Sequence, residues 1–505
     1  MKNETFTAVD AAWLHMDKPT NLAVIVGVMM FDAPLDYARF RAVVTERLLI
    51  YDRFKQRVKE PLLGLGLPIW EVDPHFDLDY HVPRVTLAAP GDEAALQQLA
   101  GQMMSEPLDR HHPLWQFIFV DHYGGGSAVI GRLHHCIADG LALVQVLLSM
   151  MDATPDAKWH GPEPKPVDDS FRHLFEPAVK AVNSTLAMAG SLLHESIQTV
   201  AHPSRLIDTL NLGSLGAIAL SKLLLLKPDQ PTLFRGPCGV TKRAVWSAPM
   251  PLSGVKDVAH ALNATLNDVL LAAVAGALRR YLEEGSEVAA NLNMRAMVPV
   301  SVRASDNLNT LGNQFGLVIL SLPVGLREPI RRLSVLKERM DQIKDTPEAL
   351  VAFGLLGGMG VSPARIEDVL LKFFAAKVSA VMTNVPGPRE TIYLTGVPMK
   401  RIMFWVPTPG NLSLGVSIIS YAGEVMVGIA TDAGLAPNPD RIITAFDDEF
   451  AYLQQWAAQS SAAQSVTAVE PMVAMHNCHA LTKSGKPCKN RAVGDSRYCR
   501  VHQKA

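Results

Sequence analysis

The chain has 505 residues, 48% hydrophobic and 19% charged, with a formal net charge of -2. That length exceeds one ordinary core and points to two domains with additions. The near-balanced charge excludes a whole-chain nucleic-acid binder, and five cysteines in so long a chain exclude a disulfide framework and fit a reducing compartment.

The polar start, Met1-Lys2-Asn3-Glu4-Thr5, lacks the basic and apolar regions of a signal peptide. Ala23 to Phe31 (AVIVGVMMF) is an apolar run of strand length, and Tyr37 to Leu49 has the spacing of an amphipathic helix. Ser127 to Leu133 predicts a strand, and Leu141 to Met151 a helix. Pro155, Pro162, Pro164 and Pro166 mark a linker, and two apolar helical patterns follow near 175–200 and 204–226. Leu210 to Leu226 has about the minimum length of a membrane span. Asn211, Ser214, Ser221 and Lys222 interrupt it, which favours a buried or membrane-surface helix.

A second block starts near Val240. Helices are predicted over 252–262 and 267–284, and strands over 294–302 and 315–322. Further helices follow over 328–343, 347–356 and 363–376, then strands near 378–383, 412–421 and 424–431 and a helix over 439–455. The mixture has no strict βαβ rhythm and reads as α+β. Ala457 to Val469, rich in Ala, Ser and Gln, reads as a flexible linker.

The chemistry concentrates where the strand ending at Leu133 gives way to His134-His135-Cys136-Ile137-Ala138-Asp139-Gly140. A histidine at a strand end can face a cleft, and neutral imidazole accepts a proton near neutrality. A weakly acidic hydroxyl needs such a base, worth roughly 10²–10⁴ in rate. Asp139 can cap the following helix or hold an arginine, and Gly140 permits close approach. Paired histidines alone are compatible with simple packing or with metal binding; the added Asp-Gly favours the base. His111-His112-Pro113-Leu114-Trp115 lacks that Asp-Gly and reads as a turn with a buried anchor. Cys136 has no thiol-activating partner in its pattern and reads as a small buried residue.

HHCIADG, with Pro113-Leu114-Trp115 upstream, resembles the bacterial wax ester synthase/diacylglycerol acyltransferase family. Asn267-Asp268, Pro299-Val300-Ser301-Val302-Arg303, Asn384-Val385-Pro386-Gly387-Pro388, VDAAWLHMDKPTN and FDLDYHV add to the resemblance, which covers residues 5 to 457. It implies two chloramphenicol-acetyltransferase-like α/β sandwich domains, 1–158 and 236–458, joined by a helical crossover at 159–235. A tunnel between them would admit long-chain acyl-CoA from one side and a fatty alcohol or diacylglycerol from the other. The resemblance further implies that His135 is the general base, that no acyl-enzyme forms and that catalysis needs no cofactor. His134 would shape the site. Asp139 would orient the motif, paired with Arg303 or, failing that, Arg295. Thr383 and Asn267 are candidate oxyanion donors, with Asp268, Asn384 and Gly387 on the substrate tunnel. Residue by residue, Asn267 is equally compatible with a helix N-cap, and Asn384 to Pro388 with a rigid turn. With no convincing span, such an enzyme would sit in the cytoplasm, peripheral to a membrane or lipid droplet.

After a linker at 459–475, the tail at 476–505 differs from everything before it. Cys478, Cys488, Cys499 and His502 form C-x9-C-x10-C-x2-H, a donor set that suits structural zinc, with His476 and His479 as competing ligands. Lys and Arg exceed Asp there by a net +6, which suits anionic lipid headgroups or nucleic acid. Two other functions fit the same motifs: a condensation-type enzyme acting on another hydroxyl acceptor, and a non-catalytic lipid-binding homologue. The transferase reading requires the His135 ring to border a cavity shared by both halves of the chain.

Overall fold

The computed structural model describes residues 4–61, 66–157, 221–287, 290–301, 312–344, 348–362, 364–467 and 478–481, and in the tail 485–489, 497, 499 and 501–502. The predicted helices near 175–200 and 204–226 lie outside the described residues apart from 221–226, as does Arg303. Contacts divide the chain into Met1–Leu453 and Gln454–Ala505.

Two large sheets build the first unit. The predicted strand Val24–Phe31 and its neighbour Gly126–His134 pair antiparallel, from Val24↔His134 to Phe31↔Ser127. Trp115–Tyr123 and the short parallel Arg84–Thr86 complete that side. The His112 N–H donates to the Asp109 carbonyl at 3.2 Å, Leu114 and Trp115 are buried and the Trp115 indole donates to the Phe54 carbonyl, so the expected turn and buried anchor are present, and the anchor opens a strand. The far edge is Arg401–Trp405, which pairs with Val24–Phe31 from Arg401↔Met30 to Trp405↔Val26. The first sheet is therefore finished by a strand from the second half of the chain.

The second sheet runs Phe315–Leu322, Met294–Ser301, Ala380–Pro386, Leu414–Tyr421, Glu424–Asp432, Lys242–Trp246, with Met250–Pro251 beside Glu424–Asp432. Ala380–Pro386 is parallel to both neighbours. Met294–Ser301 pairs with it only at Ala380 and Val381, whereas Leu414–Tyr421 follows it to Pro386. Beyond Val381 the strand thus behaves as an edge, where proline is tolerated. The expected rigid turn at Asn384 to Pro386 is extended strand for that reason.

Helix Leu266–Glu284 is buried along most of its length. Thr265 is its N-cap and closes a capping box with Asp268, so Asn267 lies inside the first turn and is not the cap. Helix Glu348–Gly360 packs against Ala8–Met16, and Gly360 sits directly on the Ala8 carbonyl, where a side chain has no room. The last helix, Asp440–Thr467, covers Ala457 to Thr467 of the stretch expected as a flexible linker, whose last two residues lie outside the described residues. Its alanines and glutamines favour helix over coil.

Arg332 and Glu449, 1% and 5% exposed, form an ion pair beneath Leu266–Glu284. Arg280 donates to the same carboxylate at 2.8 Å, and Gly276 leaves the room for it. Breaking such a pair from one side strands a buried charge. Glu449→Ala is therefore expected to lower unfolding free energy by about 3–5 kcal/mol, read from urea denaturation; a change within experimental error would show that the pair contributes little.

Candidate active site

Strand Gly126–His134 carries His134 to its end, and the chain then turns. The His135 N–H donates to the Ala23 carbonyl at 2.7 Å, and the Ile137 N–H to the His134 carbonyl at 3.0 Å. Asp139 caps helix Gly140–Met150, its Oδ1 accepting from the Ala142 N–H at 3.0 Å. Among the described residues, a side chain at Gly140 would meet no atom within 4 Å.

His135 is 4% exposed. Its ring stacks on Trp13, centroids 4.0 Å apart and planes 16° from parallel, and Phe315 lies tilted at 5.4 Å. Nδ1 is enclosed, with no hydrogen-bond partner among the described residues. Loss of solvent pulls the imidazole from 6.5 down to about 4, against the attraction of the Asp139 carboxylate, which acts to raise it. The ring is thus neutral and proton-accepting at neutral pH. It meets residues from both halves of the chain, though it is closely covered.

The segment Gly312-Asn313-Gln314 ties those halves together. Gly312 bridges Ala138 in parallel with a left-handed φ of 106°, a conformation that favours glycine. Asn313 Nδ2 donates to Asp10 Oδ1 and to the His135 carbonyl, both at 2.7 Å. The Asn313 backbone N–H donates to Asp10 Oδ1 as well, at 3.1 Å. The Gln314 N–H donates to Asp139 Oδ2 at 2.9 Å. Burial pushes the Asp10 carboxyl up to about 6 despite these donors. Asp10 and Trp13 lie in VDAAWLHMDKPTN, which carries the resemblance but no assigned role, whereas Asn313 and Phe315 have no sequence motif of their own. The available signal was LGNQF, a glycine and two amides directly before an apolar strand.

His134, 2% exposed, accepts the Cys136 N–H on Nδ1 at 3.1 Å. That assigns the proton to Nε2, which faces Asp17 Oδ2 at 3.7 Å. Burial raises the Asp17 carboxyl, but His134, the Ala23 N–H and Arg110 together bring it down to about 2. His134 thus ties the strand end to the following turn and to Asp17. Burial drives the Cys136 thiol upward, consistent with an inert packing residue. His111 is solvent-facing on Asp109, and His112 stacks on Tyr80.

The accessory residues gather elsewhere. Asn384 Nδ2 donates to Asn267 Oδ1, joining two predicted residues across helix and strand. Thr383 is buried on the strand between them and Val381, opposite Ser417. Gly387 follows that strand, its N–H on the Ser420 carbonyl at 2.8 Å. Among the described residues no hydrogen bond joins Asn267, Asp268, Thr383, Asn384 or Gly387 to His135. Arg295, the second choice as partner of Asp139, instead holds Asp229: its N–H donates to Oδ2 at 2.8 Å, and its guanidinium reaches the Lys227 and Lys377 carbonyls. In the second unit, Cys478, Cys488, Cys499 and His502 converge, their ligand atoms within 4.8 Å of one another.

Solved structures define the class. The fold matches the first condensation domain of the calcium-dependent antibiotic synthetase, with TM-score 0.56 and 15% identity over 90% of this chain and 96% of that one. It matches the wax ester synthase/diacylglycerol acyltransferase from Marinobacter aquaeolei VT8 with TM-score 0.65 and 20% identity, over 90% of this chain and 100% of that one. The architecture is thus the two-domain α/β fold of these acyl-transfer and condensation proteins. Residues 6–270 match the wax ester synthase/diacylglycerol acyltransferase catalytic domain and residues 311–454 the WS/DGAT C-terminal domain, so the chain belongs to that family and is an acyltransferase. Its relatives include the Probable diacylglycerol O-acyltransferase tgs1 of Mycobacterium tuberculosis, 28% identical over 88% of this chain and 95% of the relative. The tgs2 protein of the same organism is 26% identical over 88% and 98%.

Two outcomes follow from this geometry. The acid limb of kcat/KM, if His135 sets it, should fall near pH 4 and not near 6.5; a limb at 6.5 that survives Asp10→Asn would contradict the buried, neutral ring. The same shift makes the contribution of His135 to stability fully present above about pH 6.5 and lost as pH falls toward 4, while raised Asp10 contributes in the opposite sense below about 6. Separately, Asn313→Ala leaves the Asp10 carboxylate and the His135 carbonyl short of a donor. It should lose about 1–3 kcal/mol in urea unfolding and lower kcat more than it raises KM.

Proposed function

We propose that this acyltransferase moves a long-chain acyl group from acyl-CoA to the hydroxyl of a fatty alcohol or diacylglycerol, with His135 as general base. The observation that carries the reading is the neutral His135 ring, held at the junction of both halves inside the intact His-His-x-x-x-Asp-Gly segment. The names of the mycobacterial relatives support diacylglycerol as one acceptor.

In this scheme Nε2 takes the hydroxyl proton, because Nδ1 is enclosed. The acceptor oxygen bonds to the thioester carbonyl carbon, the C–S bond breaks, and the imidazolium returns the proton to the departing CoA thiolate. No acyl-enzyme forms. Asp139, the strongest charge acting to raise the imidazole, stabilises the transient imidazolium while capping the helix. Thr383 and Asn267 are the oxyanion donors in this reading, with Asn384 and Gly387 lining the acceptor side. Residues 1–158 and 236–458 act as its two halves and 159–235 as the crossover. With His135 only 4% exposed, both substrates reach the ring through a rearrangement around it.

Purified protein given palmitoyl-CoA with hexadecanol or a diacylglycerol should release CoA and form the corresponding ester. His135→Ala, folded by circular dichroism, should lose roughly 10²–10⁴ in kcat. Unchanged turnover in that variant would discard the base. CoA release without ester would mean hydrolysis, and ester formed only with other hydroxyl acceptors would favour a condensation-type role.

The substrates of such an enzyme partition into lipid, and one surface suits them. Helix Ala364–Ala375 exposes Ile366, Val369 and Phe373 along one face, and Leu225 is 81% exposed. Among the described residues no single helix is long and apolar enough to cross a membrane. Peripheral binding through this face predicts that Ile366→Asp with Val369→Asp reduces co-sedimentation with anionic vesicles several-fold. Equal sedimentation of both proteins would remove the proposed face.

A further inference from the structure

We infer that the C-terminal tail holds one structural zinc ion, ligated by the thiolates of Cys478, Cys488 and Cys499 and by His502 Nδ1. The acyl-transfer reading does not use this cluster, and the inference stands independently of it.

Local backbone contacts assemble the four donors. Leu481 bridges Pro487, with Gly485 at a φ of 74° between them, so the chain doubles back and brings Cys488 toward Cys478. The Cys488 N–H donates to the Ala480 carbonyl at 2.8 Å and locks that return. The His479 N–H donates to the Arg497 carbonyl at 3.0 Å, which draws the Cys499 segment alongside. Finally the His502 N–H donates to the Cys499 carbonyl at 2.8 Å, the tight turn of a C-x2-H knuckle. The long C-x9-C spacing, which looks unpromising in sequence, is closed by a hairpin.

The distances discriminate between explanations. Zinc with Zn–S of about 2.3 Å and Zn–N of about 2.05 Å at tetrahedral angles places S and S about 3.8 Å apart, and S and N about 3.5 Å apart. Cys488 Sγ and Cys499 Sγ lie 3.9 Å apart. His502 Nδ1 lies 3.4 Å from Cys478 Sγ and 3.3 Å from Cys499 Sγ. A disulfide would need about 2.05 Å, and none of the three cysteines is disulfide-bonded. The Cys499 N–H donates to Cys478 Sγ at 3.2 Å, the kind of contact that holds a thiolate ligand in place.

Burial supplies the second argument. Cys478, Cys488 and Cys499 are 5%, 7% and 3% exposed, and among the described residues of the tail they form its hydrophobic cluster, with Ala480 packed against them. A few thiols make too small a core to fold a segment of this size, whereas a metal contributes folding free energy directly. His479, a competing ligand by sequence, is exposed and absent from the cluster. His476 lies outside the described residues. The donor set of three thiolates and one imidazole selects zinc over harder cations.

The test uses the full chain, purified under reducing conditions with zinc supplied and desalted, with metal measured by mass spectrometry. Wild type is expected to carry about one zinc per chain. Cys488→Ser should carry less than a tenth of that, Cys488→His should restore most of it, and Cys238→Ser, outside the cluster, should match wild type. A mercurial should release the zinc in step with modification of the tail thiols. Wild type without zinc, or equal zinc in wild type and Cys488→Ser, would overturn the site. So would a variant that loses zinc only by unfolding throughout, recognised by circular dichroism, unless Cys478→Ser loses zinc while folded.

Discussion

Everything at the centre of the first unit depends on one amide. Asn313 holds a buried carboxylate, Asp10, with its side chain and backbone, and a buried carbonyl, that of His135, with the same side-chain nitrogen. Those acceptors belong to the helix near the N-terminus and to the turn after a central strand, while the donor belongs to the second half. An unpaired buried acceptor is expensive, so each of the three segments is in place only when the others are. Gln314 repeats the arrangement one residue on by donating to Asp139. The turn carrying His135, the capping Asp139 and the interface between halves are therefore a single hydrogen-bonded structure.

That structure resolves a conflict in the chemistry. Burial this deep keeps the His135 ring neutral, which would ready it to accept a proton in the proposed reaction but weakens its affinity for one. Two groups compensate once the proposed transfer begins. The Asp139 carboxylate attracts the imidazolium, and the face of Trp13 lies against the ring as a cation–π surface worth about 0.5–2 kcal/mol. Both interactions strengthen with the charge that appears during reaction, so they act on the transition state more than on the resting enzyme.

Long apolar runs were legible because burial on both faces demands them. The strands Val24–Phe31, Phe315–Leu322 and Leu414–Tyr421 lie close to where hydrophobic patterning placed them. The motif His134 to Gly140 was legible too, since its parts are contiguous. What patterning missed are pieces whose partners are remote in sequence. Arg401–Trp405 is five residues long and gains its meaning only from Val24–Phe31. Asn313 looks like any polar loop residue until Asp10 stands opposite. Asn267 looked like a cap because Thr265, two residues earlier, offers no apolar contrast to mark the boundary. The tail was half legible: its donors were evident, but the hairpin that joins Cys478 and Cys488 is a matter of backbone pairing.

The strand Arg401–Trp405 also imposes an order on biosynthesis. Its partner, Val24–Phe31, emerges from the ribosome early, yet the pairing edge stays bare until the chain has grown by about 370 residues, some 20–75 s at ordinary elongation rates. During that interval a flat, apolar edge is open to neighbouring nascent chains. A fragment ending before Arg401 would carry the same open edge permanently, so truncated forms of this enzyme are aggregation-prone by construction and not merely inactive.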